Sequence, residues 1–469
     1  MKILYSLPKI CAVVLTLIFL VSCSNDDDDI TPISTEDLTI TELALISSDL
    51  SLLVEALGHA DGNLAATLNG SGPFTVLAPT NAAFQALLNS NPEWNQISDI
   101  DSGVLEQVLL NHVISADVKS TDLAAAGSGY TRTNADGAGG LKMSLYFDTS
   151  SGVTFNGMSS VVTNGADIIA KNGTIHVIDA VITLPTIATH ATANSNFSVL
   201  AGALTSDLVA TLSDPDVTLT VLAPDNDAFA ALSAVPTGDA LVNTLLNHVV
   251  DGAVTAESLI NSGSGYTNTL ATGPGMNNLS LYFEAESDVM FNGMATVSES
   301  DIVASNGIIH AVDAVITLPT IATFATSNPA LSTLVDALVY ADTGMPTVPY
   351  INTVSDATAG PFTVFAPTND AFVTLLGDLN VNALTDLSTA TVDGVLAMHI
   401  VAGANVQSGD LTSGSVAVLS GESITADANA FTLTDNNNRV SNIVTSLVDI
   451  QATNGVVHVI DKVILPLQP

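Results

Sequence analysis

One internal repeat constrains the fold of this chain more than any other feature. The segment TVLAP occurs at Thr75–Pro79 and Thr220–Pro224, and TVFAP occurs at Thr363–Pro367. Each copy ends with a second motif, which reads NGTIHVID from Asn172, NGIIHAVD from Asn306 and NGVVHVID from Asn454. The copies lie 134 to 148 residues apart, whereas solenoid repeats have periods of about 20–50 residues. The sequence therefore predicts one domain repeated three times.

The repeat also predicts where the chain divides. We expect a leader at residues 1–22, an acidic tether at 23–37 and three domains at 38–185, 186–319 and 320–469. The first two copies resemble each other more than the third. GSGYT recurs from Gly127 and Gly263, SLYF from Ser144 and Ser280, and FNGM from Phe155 and Phe291. The TLPTIAT segment that ends the first two copies contains no Gly/Ser run, so we expect the domains to abut closely.

Hydrophobic periodicity predicts helices early and strands late in each copy. Phe74–Ala78 is a short apolar run stopped by Pro79, as in a strand. Thr80 can cap a following helix, in which Phe84 and Leu88 share one face. A second helical stripe runs from Val104 through Leu109 toward His112. The fold class predicted from this order is α+β, because the elements do not alternate regularly.

These motifs together carry a resemblance to a known family. The order TVxAP-x₃-AF, a helix ending near a histidine, and then NGxxHxxD resembles the fasciclin domain, a module of secreted and surface adhesion proteins. The resemblance covers roughly residues 38–466 in three tandem copies. It implies that each module is a compact wedge, a β-sandwich with helices packed at its edge.

Six of the eight histidines fall at repeat positions and are the natural suspects for chemistry. They are His112, His176, His248, His310, His399 and His458. Paired histidines with a carboxylate could hold a metal or transfer protons. However, His176 and Asp179 are three residues apart on an expected strand, so their side chains would point to opposite faces. We interpret the six as structural histidines bonded inside the core and expect no metal and no cofactor.

The resemblance also points to residues that could contact a partner. Metazoan members of the family use an Asp-Ile pair before the last motif for integrin contact. The matching residues here are Asp167, Ile168, Asp301, Ile302, Asp449 and Ile450. The position is carried over as a candidate partner-binding site, without the ligand. The family often has Tyr before the first histidine, and here Asn111, Asn247 and Met398 stand there instead.

The N-terminus reads as an export signal. Lys2 and Lys9 precede an apolar run at 10–21, which as a helix would extend about 18 Å and is too short to cross a bilayer. Leu20-Val21-Ser22-Cys23 resembles the lipobox of bacterial lipoproteins, which implies lipid attachment at Cys23. The following SNDDDD resembles the acidic export tag of Bacteroidota surface lipoproteins. We therefore expect a protein that is anchored in the outer membrane by its N-terminal lipid and faces the cell exterior.

Composition excludes several classes of function. Asp and Glu total 47 against 8 Lys and Arg, which argues against nucleic-acid binding because phosphate recognition needs clustered cations. Of two cysteines, Cys11 would leave with the leader and Cys23 would carry lipid, so no thiol remains for catalysis. Acidic turns at Asp214–Asp216 and Asp435–Asn438 leave weak divalent-cation binding open, although their spacing is not that of an EF-hand.

Three functional hypotheses follow from the sequence. The leading one is a non-enzymatic adhesion protein that binds extracellular matrix, polysaccharide or a cell-surface protein through several weak sites. The alternative is a glycan-binding accessory protein of a polysaccharide uptake system. Aromatic side chains would then stack on sugars. A single tryptophan, Trp94, and few other aromatic residues disfavour this, although Tyr130, Tyr146, Tyr266 and Tyr282 are candidates. The third is a metal-dependent enzyme that uses the repeated histidines.

Overall fold

The first of three repeated modules begins at the start of the described chain. The structure is a computed structural model that describes residues 34–467, so Cys23, the leader and most of the acidic tether lie outside the described residues. The helices of the first module are α1 (Ile40–Ile46), α2 (Ser51–His59), α3 (Leu64–Leu68), α4 (Asn81–Ser90), α5 (Ser102–Leu110) and α6 (Ser120–Ala126). Its strands are β1 (Phe74–Pro79), β2 (Val113–Ile114), β3 (Ser128–Asp136), β4 (Lys142–Asp148), β5 (Thr154–Phe155), β6 (Ser159–Ser160), β7 (Ile168–Ala170) and β8 (Gly173–Ile178).

The second module repeats this order. Its helices are α7 (Ile187–Ala193), α8 (Ser198–Ala203), α9 (Ser206–Ser213), α10 (Asn226–Ala230), α11 (Asp239–Leu246) and α12 (Ala256–Ser262). Its strands are β9 (Leu219–Pro224), β10 (Val249–Asp251), β11 (Ser264–Thr272), β12 (Asn278–Glu284), β13 (Met290–Phe291), β14 (Ala295–Ala304) and β15 (Gly307–Val312).

The third module completes the described chain. Its helices are α13 (Ile321–Ser327), α14 (Ser332–Asp342), α15 (Tyr350–Ser355), α16 (Asn369–Asp378) and α17 (Thr389–Ala397). Its strands are β16 (Phe362–Pro367), β17 (Ile400–Ala402), β18 (Gly414–Ala417), β19 (Ser423–Asp427), β20 (Thr432–Thr434), β21 (Val440–Asn442), β22 (Ile450–Ala452) and β23 (Gly455–Ile460). The α+β class with three tandem modules is confirmed.

Each module brings its two sequence motifs together in one parallel strand pair. The strand of the TVxAP motif pairs in parallel with the strand of the last histidine, so that Leu77 lies opposite His176. Leu222 lies opposite His310, and Phe365 opposite His458, in the same register. Since these strands have neighbours on both sides, their residues are largely buried, which explains their continuous apolar runs.

The Asn-Gly pair of the last motif lies where the backbone of β8 approaches the backbone of β1 closely. Gly173 has φ +151°, and a Cβ there would lie 1.8 Å from the carbonyl oxygen of Phe74, so only glycine fits. The Asn172 amide is buried beside it. Its oxygen accepts a hydrogen bond from the Ile40 amide at 2.9 Å, and its nitrogen donates to the carbonyls of Leu68 and Gly70. The motif therefore ties the first helix of the module to its sheet.

The sheets of the three modules close differently. The first module has two four-stranded sheets, ordered β2-β1-β8-β7 and β3-β4-β5-β6, and the third has the equivalent pair. In the second module the strands form one closed barrel, ordered β10-β11-β12-β13-β14-β15-β9. The barrel closes because β14 is continuous over ten residues and pairs with both β13 and β15, and because β10 pairs with both β9 and β11. The first and third modules therefore have the expected two sheets. The second module forms a closed barrel instead.

Local signals near the first motif mostly behave as predicted. The Thr80 hydroxyl accepts a hydrogen bond from the Ala83 amide at 3.2 Å and caps α4. The second helix is shorter than its apolar stripe suggests, because α5 ends at Leu110 and His112 lies just beyond it. Within residues 34–467, no helix is long and apolar enough to cross a bilayer.

Candidate interaction surface

The first histidine of each module is fully engaged inside the core. In His112, Nδ1 donates to the Val108 carbonyl at 2.7 Å and Nε2 accepts from the Ile182 amide at 2.9 Å. His248 and His399 make the same two bonds, with Thr244 and Ile316 and with Val395 and Ile464. Burial lowers the pKa of each of the three rings to about 4, so they are neutral at physiological pH.

The second histidine of each module is engaged in the same way. In His176, Nε2 donates to the Val118 carbonyl at 3.0 Å and Nδ1 accepts from the Asp167 amide at 3.2 Å. His310 and His458 repeat this with Val254 and Asp301 and with Val406 and Asp449. Burial also lowers the pKa of His310 and of His458. With both ring nitrogens bonded to backbone, these rings have no nitrogen left for a metal or a substrate.

The carboxylates that could complete a catalytic or metal site are used elsewhere. The Asp179 carboxylate accepts from the Ser160 amide at 2.7 Å rather than facing His176. Buried Asp435 accepts from the amides of Asn437, Arg439 and Leu465. Among residues 34–467 no cluster of three or more His, Cys, Asp or Glu is arranged to hold a metal ion.

The Asp-Ile pairs have structural contacts in all three modules. Each aspartate has positive φ, near 55°. Its carboxylate accepts a hydrogen bond from the backbone amide at the start of a helical turn. These bonds join Asp167 to Ser120 at 2.8 Å, Asp301 to Ala256 at 3.0 Å and Asp449 to Ser408 at 2.6 Å. Ile302 and Ile450 are 1% and 2% exposed, whereas Ile168 is half-buried. Only the first pair therefore keeps an apolar side chain at the surface.

The difference arises because the second and third pairs lie at junctions between modules. At the first junction, the Ser144 hydroxyl of the first module accepts from the Val303 amide of the second at 2.9 Å. At the second junction, the Ser280 hydroxyl accepts from the Gln451 amide at the same distance. The SLYF serines of modules one and two thus bond to a backbone amide on a stretch of strand that pairs on one side only, the Val303 stretch of β14 and the Gln451 stretch of β22.

Four tyrosines complete the two junctions. Tyr130 packs on Tyr146 with ring centroids 5.1 Å apart and on His190 of the second module at 5.4 Å. Tyr266 packs on Tyr282 at 5.1 Å and on Phe324 of the third module at 5.7 Å. Tyr146 and Tyr282 are 2% and 3% exposed. The four rings pack within and across the two junctions, which leaves little of their surface for stacking on sugars.

Glycines allow the modules to approach closely. A Cβ on Gly137, in the β3–β4 hairpin, would lie 2.4 Å from the Val303 side chain of the second module. A Cβ on Gly273, in the β11–β12 hairpin, would lie 3.1 Å from the Ala452 carbonyl oxygen of the third. The Gly-rich segments are hairpin turns, and they also form the contact with the next module.

The third module does not repeat this hairpin surface. Ser423 occupies the place of Ser144, but exposed Ser415 and Thr425 replace the two tyrosines. The loop between the paired positions shrinks from residues 133–143 to residues 418–422. The β18–β19 hairpin of the third module is therefore polar at the positions by which the first two modules contact the next one.

The opposite end of the array exposes apolar side chains beside an acidic turn, Thr35–Asp37, that packs on β7. Leu45 and Ile46 of α1 are 42% and 69% exposed. In the later modules, Ala193 and Ser327 occupy the position of Ile46 and touch Gly157 and Gly293 of the preceding module. We name the surface of Leu45, Ile46, Asp167, Ile168 and Ile169 the first-module end. Ile46 is too large for the close contact that Ala193 and Ser327 make, so this end is not shaped for another module of the same kind.

Comparison with known proteins identifies the class to which these modules belong. The fasciclin domain profile matches residues 48–185, 195–319 and 329–466. The chain therefore belongs to the fasciclin domain family and carries three tandem copies of the domain.

Individual relatives match parts of the chain. It is 37% identical over 147 residues to Protein sll1483 of Synechocystis sp., a match that covers 31% of this chain and 73% of that protein. It is 26% identical over 446 residues to periostin of Homo sapiens, covering 92% of this chain and 46% of periostin. It is 28% identical over 258 residues to transforming growth factor-beta-induced protein ig-h3 of Sus scrofa, covering 52% of this chain and 35% of that protein. The matches thus span less than half of periostin and of ig-h3.

A solved structure of a FAS1 domain pair from the insect cell adhesion molecule fasciclin I is also similar. It shares 19% sequence identity, covers 57% of this chain and 96% of that chain, and has a TM-score of 0.36.

Proposed function

We propose that this protein is a non-enzymatic adhesion protein, anchored by lipid at Cys23 and facing the exterior of the cell. The observation that carries this proposal is the pair of built junctions, in which a serine, two tyrosines and a close-packed glycine hold each module to the next. Such contacts make a semi-rigid array, which suits display of a binding surface away from a membrane. The fasciclin family also includes a protein described as an insect cell adhesion molecule.

The histidine geometry supports the non-enzymatic part of the proposal. All six motif histidines have both ring nitrogens bonded to backbone groups. General acid–base catalysis and metal binding both require a free nitrogen that faces the reactant. The hypothesis of a metal-dependent enzyme therefore has no support from these residues.

The place of partner contact in this proposal is the first-module end. Of the three Asp-Ile pairs, the pair Asp167-Ile168 is the one that no preceding described module covers, and exposed Leu45 and Ile46 belong to the same end. Exposed apolar patches on soluble proteins mark interaction sites. The exposed apolar side chains of this end favour a protein partner, in the matrix or on a neighbouring cell, over a polysaccharide.

The proposal is tested on intact cells that carry the full-length chain. Protease treatment of the cells should remove the protein from wild-type cells, and the Cys23→Ala variant should be released from the membrane fraction. The soluble chain without its leader, immobilised on beads, should then capture a protein from matrix or from neighbouring cells. Protection from protease in intact cells, or membrane retention of Cys23→Ala, would contradict the anchored and outward placement.

A further inference from the structure

The second module contains a cavity that neither the fold nor the adhesion proposal uses. It has a volume of about 210 Å³ and lies inside the closed barrel beneath α12. Leu222, Val250, Leu259, Phe283 and Phe291 supply its apolar walls, and each of them is less than 9% exposed. Ser258 and Ser262 on the exposed face of α12 also line it, so the cavity reaches solvent at that helix.

The third module provides an internal comparison, because the equivalent space is filled there. Leu222 and Phe365 occupy the same register position, opposite His310 and His458 respectively. The Phe365 ring stacks on His458 with centroids 5.9 Å apart. The space beside it, also lined by Phe431, measures about 10 Å³. Leucine in place of this phenylalanine leaves more open volume in the second module than in the third, although the first module also carries a leucine, Leu77, at this position.

Four of the five polar side chains that line the cavity are already hydrogen-bonded within the protein, and the fifth is Thr267. The Thr220 hydroxyl donates to the Gly252 carbonyl at 2.7 Å and accepts from the Val254 amide at 2.8 Å. His310 donates to the Val254 carbonyl at 2.9 Å, and the hydroxyls of Ser258 and Ser262 donate to carbonyls of α12 and its cap. A strongly polar ligand would give up its hydrogen bonds to water and find few hydrogen-bond partners here. An apolar ligand has no such hydrogen bonds to give up.

We propose that the second module binds one small apolar molecule in this cavity, of the size of a single aromatic ring or a short alkyl chain. An engineered apolar cavity of about 150 Å³ binds benzene in another protein, so the volume here is sufficient. Dispersion contacts with the two phenylalanine rings and burial of the ligand surface supply the free energy of binding. The binding is independent of adhesion, since the cavity lies within one module and not at a junction.

Toluene is a suitable probe for the full-length chain. Wild type should bind it saturably, with a rise in the apparent midpoint of thermal unfolding and with methyl NMR shifts confined to Leu222, Val250 and Leu259. Leu222→Phe introduces the residue of the third module, fills the cavity and should abolish both effects. If Leu222→Phe does not fold, Val250→Ile is the second test. It introduces the residue of the first module and should weaken binding. Val209→Ala, at an exposed position on α9, is the matched control and should bind as wild type does. Absence of saturable binding by wild type, or undiminished binding by Leu222→Phe, would overturn the proposal.

Discussion

The Ser144 hydroxyl accepts a hydrogen bond from the Val303 amide across the first junction, and this amide lies on the part of β14 that pairs with β15 but not with β13. Ser280 and Gln451 repeat the relationship at the second junction. One side chain per junction thus satisfies a buried backbone donor of the next module.

Replacing Ser144 should destabilise the first junction. Ser144→Ala leaves the Val303 amide without its acceptor, which costs about 1–3 kcal/mol for a buried group. Chemical denaturation should report this loss, together with faster proteolysis between the first two modules. Ser423→Ala is the matched control, because Ser423 holds the same strand position in the third module, which no described module follows. Equal effects of the two substitutions would show that the hydroxyl acts within its module and not across the junction.

Adding one methyl group at Gly137 should separate the first two modules. A Cβ there meets the Val303 side chain at 2.4 Å, so the hairpin or the neighbouring strand must move. We expect Gly137→Ala to increase the maximum dimension measured by small-angle X-ray scattering. Gly202→Ala in α8 is the control, since a Cβ there meets nothing within 4 Å, and it should raise stability by about 0.5–1 kcal/mol. An unchanged scattering profile for Gly137→Ala would argue against the close contact.

Acid should weaken the first junction before the second. His190 packs on Tyr130 and is fully buried, with no hydrogen-bond partner at Nδ1, and burial lowers its pKa to about 4. Because the folded pKa lies below the unfolded value of 6.5, the unfolded chain binds more protons between these values. The stability from neutral His190 is therefore complete above pH 6.5 and is lost as pH falls toward 4, by on the order of 3 kcal/mol.

The third module supplies the variant that tests this acid effect. His190→Phe introduces phenylalanine, which is the residue at the equivalent position of the second junction, Phe324. It should change stability little at pH 7 and raise it relative to wild type at pH 5, as measured by denaturant unfolding at each pH. The reverse substitution, Phe324→His, should make the second junction acid-sensitive. Parallel pH profiles for wild type and His190→Phe would contradict the assignment.

The motif histidines should be replaceable only at a cost in stability. His248→Ala removes both the bond to Thr244 and the bond to the Ile316 amide and leaves a cavity, so we expect a loss of about 3 kcal/mol or more. Metal content, measured by elemental analysis of the purified chain, should be the same in wild type and variant. A bound metal that disappears with His248 while the melting temperature stays constant would refute the structural role.

The repeats allowed the module count and the α+β class to be predicted, because TVxAP and NGxxHxxD specify a buried parallel strand pair in each copy. The Thr80 cap and the engaged histidines follow from local rules of hydrogen bonding and burial. The end of α5 was placed too late, since the apolar stripe continues past Leu110 into residues that pack without being helical.

Close abutment of the modules was expected, but the residues that form the junctions were not predicted, although the sequence contained a signal for them. GSGYT, SLYF and the Gly-rich hairpins are shared by the first two modules and missing from the third, and these are the residues that touch a following module. Their contacts join residues 159 and 171 positions apart, which hydrophobic periodicity cannot report. Closure of the second barrel was likewise beyond local patterns, because it depends on the continuous strand β14 and on the pairing of β10 with β11.

The most direct test of the account is adhesion of cells that display the full-length chain, measured as the fraction retained under flow. Ile46→Ser removes the most exposed apolar side chain of the first-module end, whereas Val373→Ser changes a side chain of equal exposure, 68% against 69%, in the third module. The account predicts that Ile46→Ser loses retention and that Val373→Ser retains it at equal surface abundance. Equal retention of both variants and wild type would contradict contact through the first-module end.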